Sequence, residues 1–492
     1  MRNFILQNHL GDWGTQFGML IAYLRDVGAS EGGHIADLED FYRRAKKRFD
    51  DDTAFQDEAR KTVVKLQAGD PDILAAWSKM VDETRRHFQP LYERMGVLLK
   101  PEHERGESTY NPLLRGVVEA LKASGLAIES DGAIGVFIDG EKKPPLIIEK
   151  TGGGFLYGTT DLAAIQYRVN DLKANRSIYF TDSRQAQHFS QVFRTADKAG
   201  WTKGASFEHA PFGTVLGKDN KPFKTRSGDT VKLKDLLDEA EQRALAIVNA
   251  KNADLPEAPK QAIAHAIGVG AVKYGDLSKD RTSDYVFDWD TMLAMEGNTA
   301  PYLQYAHAAS SPSSANPGST ASAATNIALD APQEIALAKH ILRLGEVLEN
   351  VARDLKPHLL CTYLYDLATR FSSFYENCPV LKSDEPVRSQ RLALCDSPPG
   401  RCRWGSICWA SSIRSRCDLT DYPRACPGLN GSRHPHRFAQ LRHRPRLAPS
   451  VAPCSTRFCR PRRSPPCRAW CSCTVPCRRT CRTPAPSGGS GR

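Results

Sequence analysis

A cluster of four cations lies on a short loop between residues 216 and 230. The loop has a glycine on each side and a proline within it, and it comes just before a segment with helical periodicity. Its cations are Lys218, Lys221, Lys224 and Arg226. Such a loop can close on phosphates, and a lysine there is a point charge that can follow the charge developing on a leaving pyrophosphate. The alternative is a solvated basic loop without a ligand.

A tyrosine and a carboxylate four residues apart, Tyr157 and Asp161, follow the glycine-rich turn at 152–154. We place Asp161 where a strand ends and a helix begins, which is the side of an α/β sheet where ligands bind. A carboxylate there can pair bidentately with a guanidinium, and the tyrosine can donate an oriented hydroxyl. The alternative is that Asp161 only caps the helix.

Two further segments have residues suited to a ligand site. Gln185 and His188 come soon after the apolar strand predicted at 178–180, and residues three apart face the same side of a helical turn. The alternative is that they only cap a turn between strand and helix. In the segment 8–18 (NHLGDWGTQFG), small residues let a ligand approach the backbone closely. The alternative there is a tight turn with a packed tryptophan.

Apolar periodicity predicts the elements that must position these residues. Residues 4–6 are typical of a short buried strand, residues 35–98 of a helical insertion, and the alternation of strands with helices up to about residue 200 of a mostly parallel α/β sheet. From about residue 229, apolar stripes at helical spacing indicate a helical bundle. The uncharged stretch 309–326 interrupts that pattern with the composition of a flexible linker.

Charge and cysteine content divide the chain into two parts. The 492 residues carry 67 Lys+Arg and 56 Asp+Glu, a formal charge of +11. Residues 396–492 hold 19 arginines, three aspartates and neither lysine nor glutamate, so they carry +16 and the preceding 395 residues carry −5. A body with almost no cysteine is typical of a reducing, cytoplasmic compartment. No apolar run approaches the roughly 20 residues of a membrane span, so we expect no membrane contact.

Six segments, taken in order, resemble one family. They are NHLGDWGTQFGMLIAYL (8–24), GESTYNPLL (106–114), FLYGTTDLAA (155–164), GKDNKPFKTRSGDTVKL (217–233), GVGAVKYGDLSKDRTSDYVFDWDTMLAMEGNTAPYLQYAHA (268–308) and LYDLATRFSSFYENCPVL (364–381). With nearly continuous similarity over residues 3–308 and 327–395, the chain resembles bacterial arginyl-tRNA synthetases, which are class I aminoacyl-tRNA synthetases.

The resemblance implies a fold, a reaction and partners. The expected fold is an incomplete Rossmann-like α/β class I catalytic domain over residues 1–296, an all-α anticodon-binding helical bundle over 297–395, and an unstructured tail. The catalytic part includes the insertion at about 35–100 and a stem-contact helical region at about 229–296. The implied reaction activates L-arginine with ATP, accompanied by Mg²⁺, to arginyl-adenylate and transfers the arginyl group to tRNA(Arg). We expect a cytoplasmic monomer without a metal site of its own.

The resemblance also implies roles for the cationic loop. FKTRSG (223–228) stands in the place of the class I signature loop written KMSKS, with Arg226 replacing its second lysine. Lys218, Lys221 and Lys224 are expected to share the catalytic role on the phosphates with Arg226.

Further site residues follow from the same resemblance. Tyr157, Asp161 and Gln185 match contacts to the substrate arginine, with Asp161 on its guanidinium. The residues implied to bind ATP come from three segments: Gly11, Asp12, His188, Lys224 and Thr225.

The class I HIGH motif is absent, because the near match at 32–35 (GGHI) lacks its order and lies in the insertion. In the family that motif precedes the GDWG segment, so we expect a chain that is N-terminally truncated. HIGH histidines stabilise the ATP phosphates in the transition state, and losing one such stabiliser costs on the order of 10²–10³ in rate. We therefore expect little or no activity. The alternative function is a non-catalytic truncated or pseudogene product with residual tRNA binding.

The tail from residue 396 departs from the family. Arginine, proline, cysteine and serine without lysine or glutamate are what a GC-rich gene gives when it is read out of frame, so we interpret the tail as frameshifted translation. Two compensating frameshifts would explain 309–326 in the same way. The alternatives for the tail are a basic nucleic-acid-binding segment and a zinc site on the cysteines between 471 and 481, whose spacing is not a common zinc pattern.

Overall fold

The computed structural model describes residues 4–27, 38–140, 143–151, 153–223, 231–310, 328–380 and 382–396. Residues 224–230 of the cationic loop, among them Lys224, Thr225 and Arg226, lie outside these ranges. So do residues 311–326 of the uncharged interruption, the GGHI segment and the tail after residue 396. Among the described helices, none is long and apolar enough to cross a membrane.

The described chain starts with a short strand, β1 (Asn8–Leu10), and a helix, α1 (Thr15–Val27). The buried strand predicted at residues 4–6 is wrong, because these residues are exposed, Phe4 by 90%. Residues 8–10 form the strand instead, paired in parallel with β2 (Glu104–Gly106). This strand depends on a partner distant in sequence, and the apolar character of residues 4–6 does not reveal where that partner lies.

Three helices form in the charged, helix-periodic region: α2 (Leu38–Asp51), α3 (Thr53–Ala68) and α4 (Pro71–Met95). Asp52 and Asp70 cap α3 and α4, since their carboxylates accept hydrogen bonds from the first backbone N–H groups. The apolar faces pack with α1 in a core that includes Ile21, Phe41 and Met80. The predicted insertion is therefore helical over the residues that are described.

The next part alternates strands and helices. It comprises α5 (Asn111–Ala123), β3 (Ala127–Ser130), β4 (Ala133–Val136), β5 (Leu146–Glu149), α6 (Tyr157–Asn170), β6 (Arg176–Asp182), α7 (Ala186–Lys198) and β7 (Ser206–Phe212). Strands β6 and β7 are parallel, as the alternation predicted, whereas β3, β4 and β5 form an antiparallel sheet that it did not. Helices α5, α6 and α7 bury Leu121, Leu162 and Val192 in one core.

From residue 215 the described chain is mostly helical. Its elements are β8 (Val215–Leu216), α8 (Leu233–Lys251), α9 (Glu257–Leu277), β9 (Tyr285–Val286), α10 (Trp289–Met292), α11 (Ala300–Ser310), α12 (Pro332–Leu342), α13 (Leu344–Asp354), α14 (His358–Asn377) and α15 (Val387–Asp396). Strand β8 pairs in parallel with β9. Helices α11 to α15 share one core around Leu303, Leu337 and Phe371, and we call them the helical bundle.

Candidate active site

The carboxylate of Asp161 lies on α6, one turn after Tyr157, which is the first residue of that helix. Residues four apart share a helix face, so the two side chains point the same way. Asp161 is 9% exposed and Tyr157 is 61% exposed. The capping alternative for Asp161 is wrong, because Leu156 holds the N-cap position and Asp161 is inside the helix. A nearly buried carboxylate therefore lies beside an exposed phenol.

His188, in the first turn of α7, contacts both residues. Its Nε2–H donates a hydrogen bond of 2.6 Å to Oδ2 of Asp161. The ring of His188 meets the ring of Tyr157 edge to face, with 4.7 Å between the centroids. We predicted His188 among the ATP-binding residues, and the structure places it on the carboxylate predicted to bind arginine. Its ATP role stays a prediction.

Gln185 lies just before α7, at the end of a short 3₁₀ turn (Ser183–Gln185). Its side chain is exposed. Among the described residues, the contacts that join Tyr157, Asp161 and His188 do not include Gln185. The structure thus brings together three of the predicted residues, and the role of the fourth, Gln185, in arginine binding stays a prediction.

A buried arginine that we did not predict, Arg168, lies on the same helix as Tyr157 and Asp161. Arg168 is 9% exposed, and its Nε donates to Oε1 of Gln7 at 2.8 Å. Another guanidinium nitrogen donates to the hydroxyl of Tyr179, and the guanidinium lies 4.7 Å from the centre of that ring. Burial raises the pKa of Tyr179, which keeps the phenol protonated. Arg168 therefore ties α6 to β6 and to the segment before β1.

Aromatic rings fill the space behind His188. Phe189 lies about as close to Tyr179 as to His188 and His209, with centroid distances of 5.0, 5.1 and 5.1 Å. His209 on β7 is hydrogen-bonded through Nε2 to Oγ1 of Thr181 on β6 at 2.8 Å, and burial lowers its pKa. The packing of Phe189 between His188 and the neutral ring of His209 fixes the position of the His188 ring.

Asp12 has a structural partner. Its carboxylate, which is nearly buried, accepts hydrogen bonds from the backbone N–H of Ser108 at 2.9 Å and from its hydroxyl at 2.6 Å. Its carbonyl accepts one from the indole of Trp77 at 2.7 Å. The neighbouring Gly11 is exposed, with open space where a side chain would be. The backbone at Gly11 is open to a ligand, and the ATP roles of both residues stay predictions.

The described part of the cationic loop is a turn with its lysines in solvent. Nζ of Lys218 lies 3.0 Å from Oδ2 of Asp288, which raises the pKa of the ammonium and lowers the pKa of the carboxyl. The backbone of Lys221 closes the turn onto Gly217 at 2.8 Å, and its side chain is exposed. Two of the four predicted cations are therefore accessible, and the other two lie outside the described residues.

A family model described as "tRNA synthetases class I (R), catalytic domain" matches residues 2–289, and one described as "DALR anticodon binding domain" matches residues 303–398. An arginine–tRNA ligase of Azotobacter vinelandii is 53% identical over 404 residues, which cover 81% of this chain and 70% of that protein. The chain belongs to the class I arginyl-tRNA synthetase family.

Other relatives agree with this family assignment. An arginine–tRNA ligase of Haemophilus influenzae is 50% identical over 403 residues, covering 80% of this chain and 70% of that protein. The structure of the Plasmodium falciparum arginyl-tRNA synthetase matches with a TM-score of 0.69 at 30% identity, over 84% of this chain and 69% of that one. The Thermus thermophilus enzyme matches in fold, with a TM-score of 0.68 at 23% identity, over 83% of this chain and 75% of that one. The predicted class I catalytic domain followed by an all-α anticodon-binding domain is confirmed.

Proposed function

We propose that this chain is an arginine–tRNA ligase, which activates L-arginine with ATP to arginyl-adenylate and transfers the arginyl group to tRNA(Arg). Membership of the arginyl-tRNA synthetase family supports the reaction. The observation that supports a role for particular residues in this reaction is the cluster of Tyr157, Asp161 and His188 formed by α6 and α7.

The carboxylate of Asp161 is suited to recognising arginine. A guanidinium presents N–H donors in a planar fork that fits a carboxylate, and such paired hydrogen bonds are short and strong. A carboxylate offers about four acceptor positions, so the hydrogen bond from His188 to Oδ2 leaves acceptor positions for a guanidinium. Asp161 is nearly buried. A substrate amino acid with a neutral side chain would leave its carboxylate without a guanidinium partner, which selects against amino acids other than arginine.

We propose that ATP binds to the cationic loop and to the turn at Gly11 and Asp12. Lys218 pairs with Asp288 in an exposed ion pair, and such pairs contribute only about 0–1 kcal/mol, so the lysine can exchange that partner for a phosphate. Lys221, Lys224, Thr225 and Arg226 follow on the same loop.

Mg²⁺ is proposed as part of the ATP substrate, because this ion keeps most of its waters and binds through phosphate oxygens. Within the described ranges there is no group of three or more His, Cys, Asp or Glu side chains that could hold a metal ion. The helical bundle is proposed to bind the anticodon part of tRNA(Arg), as the matched anticodon-binding model supports. We further propose that the chain is a monomer, which sedimentation would measure.

Asp161→Asn tests the proposal. The substitution keeps the size of the side chain and removes the charge, so we expect the KM for arginine to rise by about 10²-fold or more, in line with the loss of a charge-assisted pair of hydrogen bonds. The measurements are pyrophosphate exchange with ATP and arginine in the presence of tRNA(Arg), and charging of tRNA(Arg) with labelled arginine.

The control for this experiment is the unsubstituted chain in the same assays. Charging by that chain, at the low rate expected without the HIGH motif, and its loss on Asp161→Asn support the ligase function. Binding of tRNA(Arg) without charging would overturn it and favour a non-catalytic product with residual tRNA binding.

A further inference from the structure

The connection between α9 and β9, residues 278–284, touches two distant parts of the chain. On one side it contacts the end of β7 and the start of β8, which lead into the cationic loop. On the other side it contacts the corner between α13 and α14 of the helical bundle. We call residues 278–284 the connecting segment.

On the catalytic side, the connecting segment accepts hydrogen bonds from two backbone N–H groups of the chain between β7 and β8. The N–H of Gly213 donates to the carbonyl of Arg281 at 2.8 Å, and the N–H of Thr214 donates to the carboxylate of Asp284 at 2.6 Å. A Cβ on Gly213 would lie 2.6 Å from the carbonyl oxygen of Ser283, so the two backbones are in direct contact. Movement of one segment therefore moves the other.

The same pairing continues to the base of the cationic loop. Strands β8 and β9 are each only two residues long, and the N–H of Phe287 extends their pairing by donating to Leu216 at 2.8 Å. Beyond them the rings of Phe223 and Phe287 stack with 4.8 Å between centroids, and Lys218 pairs with Asp288. A ribbon this short has few hydrogen bonds of its own, so its position depends on what holds its ends.

On the bundle side, two charged residues of the connecting segment hold the α13–α14 corner. Nε of Arg281 donates to the carbonyl of Leu355 at 2.6 Å, while another nitrogen of the same guanidinium donates to the carbonyl of Pro211 at the end of β7. Leu355 caps the C-terminal end of α13 with a φ of 55°. The carbonyl groups at the C-terminal end of a helix attract a cation. One guanidinium thus bridges the bundle and the catalytic part.

Asp280 adds an ion pair to this bridge. Its carboxylate accepts hydrogen bonds from Nζ of Lys356 at 2.7 Å and from the hydroxyl of Thr282 at 2.8 Å. The hydrogen bond from Lys356 is the main cause that lowers the pKa of Asp280, which keeps the carboxylate charged. The pair is one-third exposed on each side, so it is partly shielded from water.

We propose that Asp280 and Arg281 are positioning residues that make the position of the cationic loop depend on the position of the helical bundle. A shift of the α13–α14 corner moves Leu355 and Lys356, the connecting segment follows, and the β8–β9 ribbon carries the shift to Lys218. The consequence for catalysis rests on the proposed function, in which that loop acts on the phosphates of ATP. The contacts themselves do not depend on it.

Lys356→Met in the full chain tests this coupling, because it changes only the bundle side of the bridge. The measurement is hydrogen–deuterium exchange of backbone amides at residues 214–217 and 285–287. Loss of a partly shielded ion pair is expected to raise their exchange by about two- to fivefold. Arg353→Met is the matched control, since Arg353 lies on the same corner and pairs with its neighbour Asp354, and its exchange pattern in the ribbon should equal that of the unsubstituted chain.

Exchange that rises only within α13 and α14 would overturn the coupling. Arg281→Lys gives a second reading, because a lysine keeps the charge but cannot bridge Leu355 and Pro211 with a planar fork. It should raise exchange in the ribbon at least as much as Lys356→Met does. In the charging assay, both variants should raise the KM for ATP and leave the KM for arginine unchanged. If the chain charges no tRNA, the proposed function fails while the exchange result still decides the coupling.

Discussion

The hydrogen bond between His188 and Asp161 gives the histidine a positioning role in the arginine binding that we propose for Asp161. The structure holds its ring between Tyr157 and Phe189, and the Nε2–H points at the carboxylate. A carboxylate fixed by one donor presents its other acceptor positions in a constant direction. His188 is then a positioning residue for Asp161, whereas the resemblance placed it with ATP.

His188→Ala separates these two roles. Hydrogen bonds to charged groups contribute about 1.5–3 kcal/mol, so loss of this one should raise the KM for arginine by roughly 10- to 100-fold. The KM for ATP should not change. Steady-state pyrophosphate exchange with each substrate varied in turn measures both constants.

His209→Ala is the control for His188→Ala, because His209 packs on the same Phe189 but its hydrogen bond goes to Thr181. It should disturb the aromatic wall and shift the KM for arginine far less. A rise in the KM for ATP on His188→Ala, with the KM for arginine constant, would restore the ATP role predicted from the sequence.

The spacing of residues on one helix could be read from the sequence, but contacts between elements could not. Tyr157 and Asp161 lie four apart, and Arg168 lies seven beyond Asp161, so periodicity alone puts all three on one face of α6. We missed Arg168 because it follows the motif rather than belonging to it. The contact of His188 with Asp161 depends on how α7 packs on α6, and spacing within either helix does not determine that.

At the scale of elements, helices α8 and α9 pack with their backbones in close approach. A Cβ on Gly268 of α9 would lie 2.7 Å from the backbone nitrogen of Glu241 on α8. By contrast, Gly116 of α5 is exposed, and a Cβ there would meet nothing within 4 Å. The chain therefore contains two helical glycines with opposite requirements.

Gly268→Ala and Gly116→Ala should change stability in opposite directions. At Gly268 the added methyl forces two backbones apart, and overpacking of this kind costs about 1–3 kcal/mol. At Gly116 alanine lowers the entropy of the unfolded chain and favours the helix by about 0.5–1 kcal/mol. Urea unfolding followed by circular dichroism measures both shifts. Equal destabilisation by the two substitutions would contradict the close packing of α8 on α9.

The helices and the strand at 178–180 could be predicted because their signals are local, whereas strand β1 could not. Asp52 and Asp70 cap helices within their own segments, and apolar stripes mark the buried faces. Strand β1 pairs with β2 across the whole helical insertion, so its register depends on a partner that the local pattern does not specify. The same reason explains why residues 4–6 were predicted as a strand and are exposed instead.

At the scale of the whole molecule, charged side chains join parts that are far apart in sequence. Arg94 at the end of α4 donates to Asp238 at 2.6 Å and to Glu241 at 2.8 Å, which fixes the helical insertion to α8. Asp280 binds Lys356 of the bundle. The net charge of +11 says nothing of these pairs, since all of the positive excess belongs to the C-terminal 97 residues. Residues 1–395 carry a formal charge of −5, and the ion pairs described here join elements that are distant in sequence.

Within the bundle, one buried ion pair holds the last described helix. Glu334 of α12 is 4% exposed and accepts a hydrogen bond from Nε of Arg391 on α15 at 2.6 Å. It also accepts bonds from the N–H groups of Asp330 and Ala331, each at 3.1 Å. Burial opposes its charge, but these donors outweigh burial and hold the pKa of Glu334 below its usual value of 4.5.

Glu334→Gln should therefore destabilise the chain in a pH-dependent way. Because the pKa is lower in the folded state than in the unfolded one, the stabilisation is complete above about pH 4.5 and is lost as the pH falls through the folded-state pKa. At about pH 7 the substitution should cost roughly 1.5–3 kcal/mol, since Arg391 loses a charged partner. The difference in stability from the unsubstituted chain should shrink in acid.

Glu346→Gln is the control, because it removes an exposed pair with Arg343 in the same bundle, and it should have little effect on stability at either pH. Urea unfolding midpoints near neutral pH and below the usual glutamate pKa measure both variants, and a Glu334→Gln difference that stays constant across this range would contradict the ion pair as its cause.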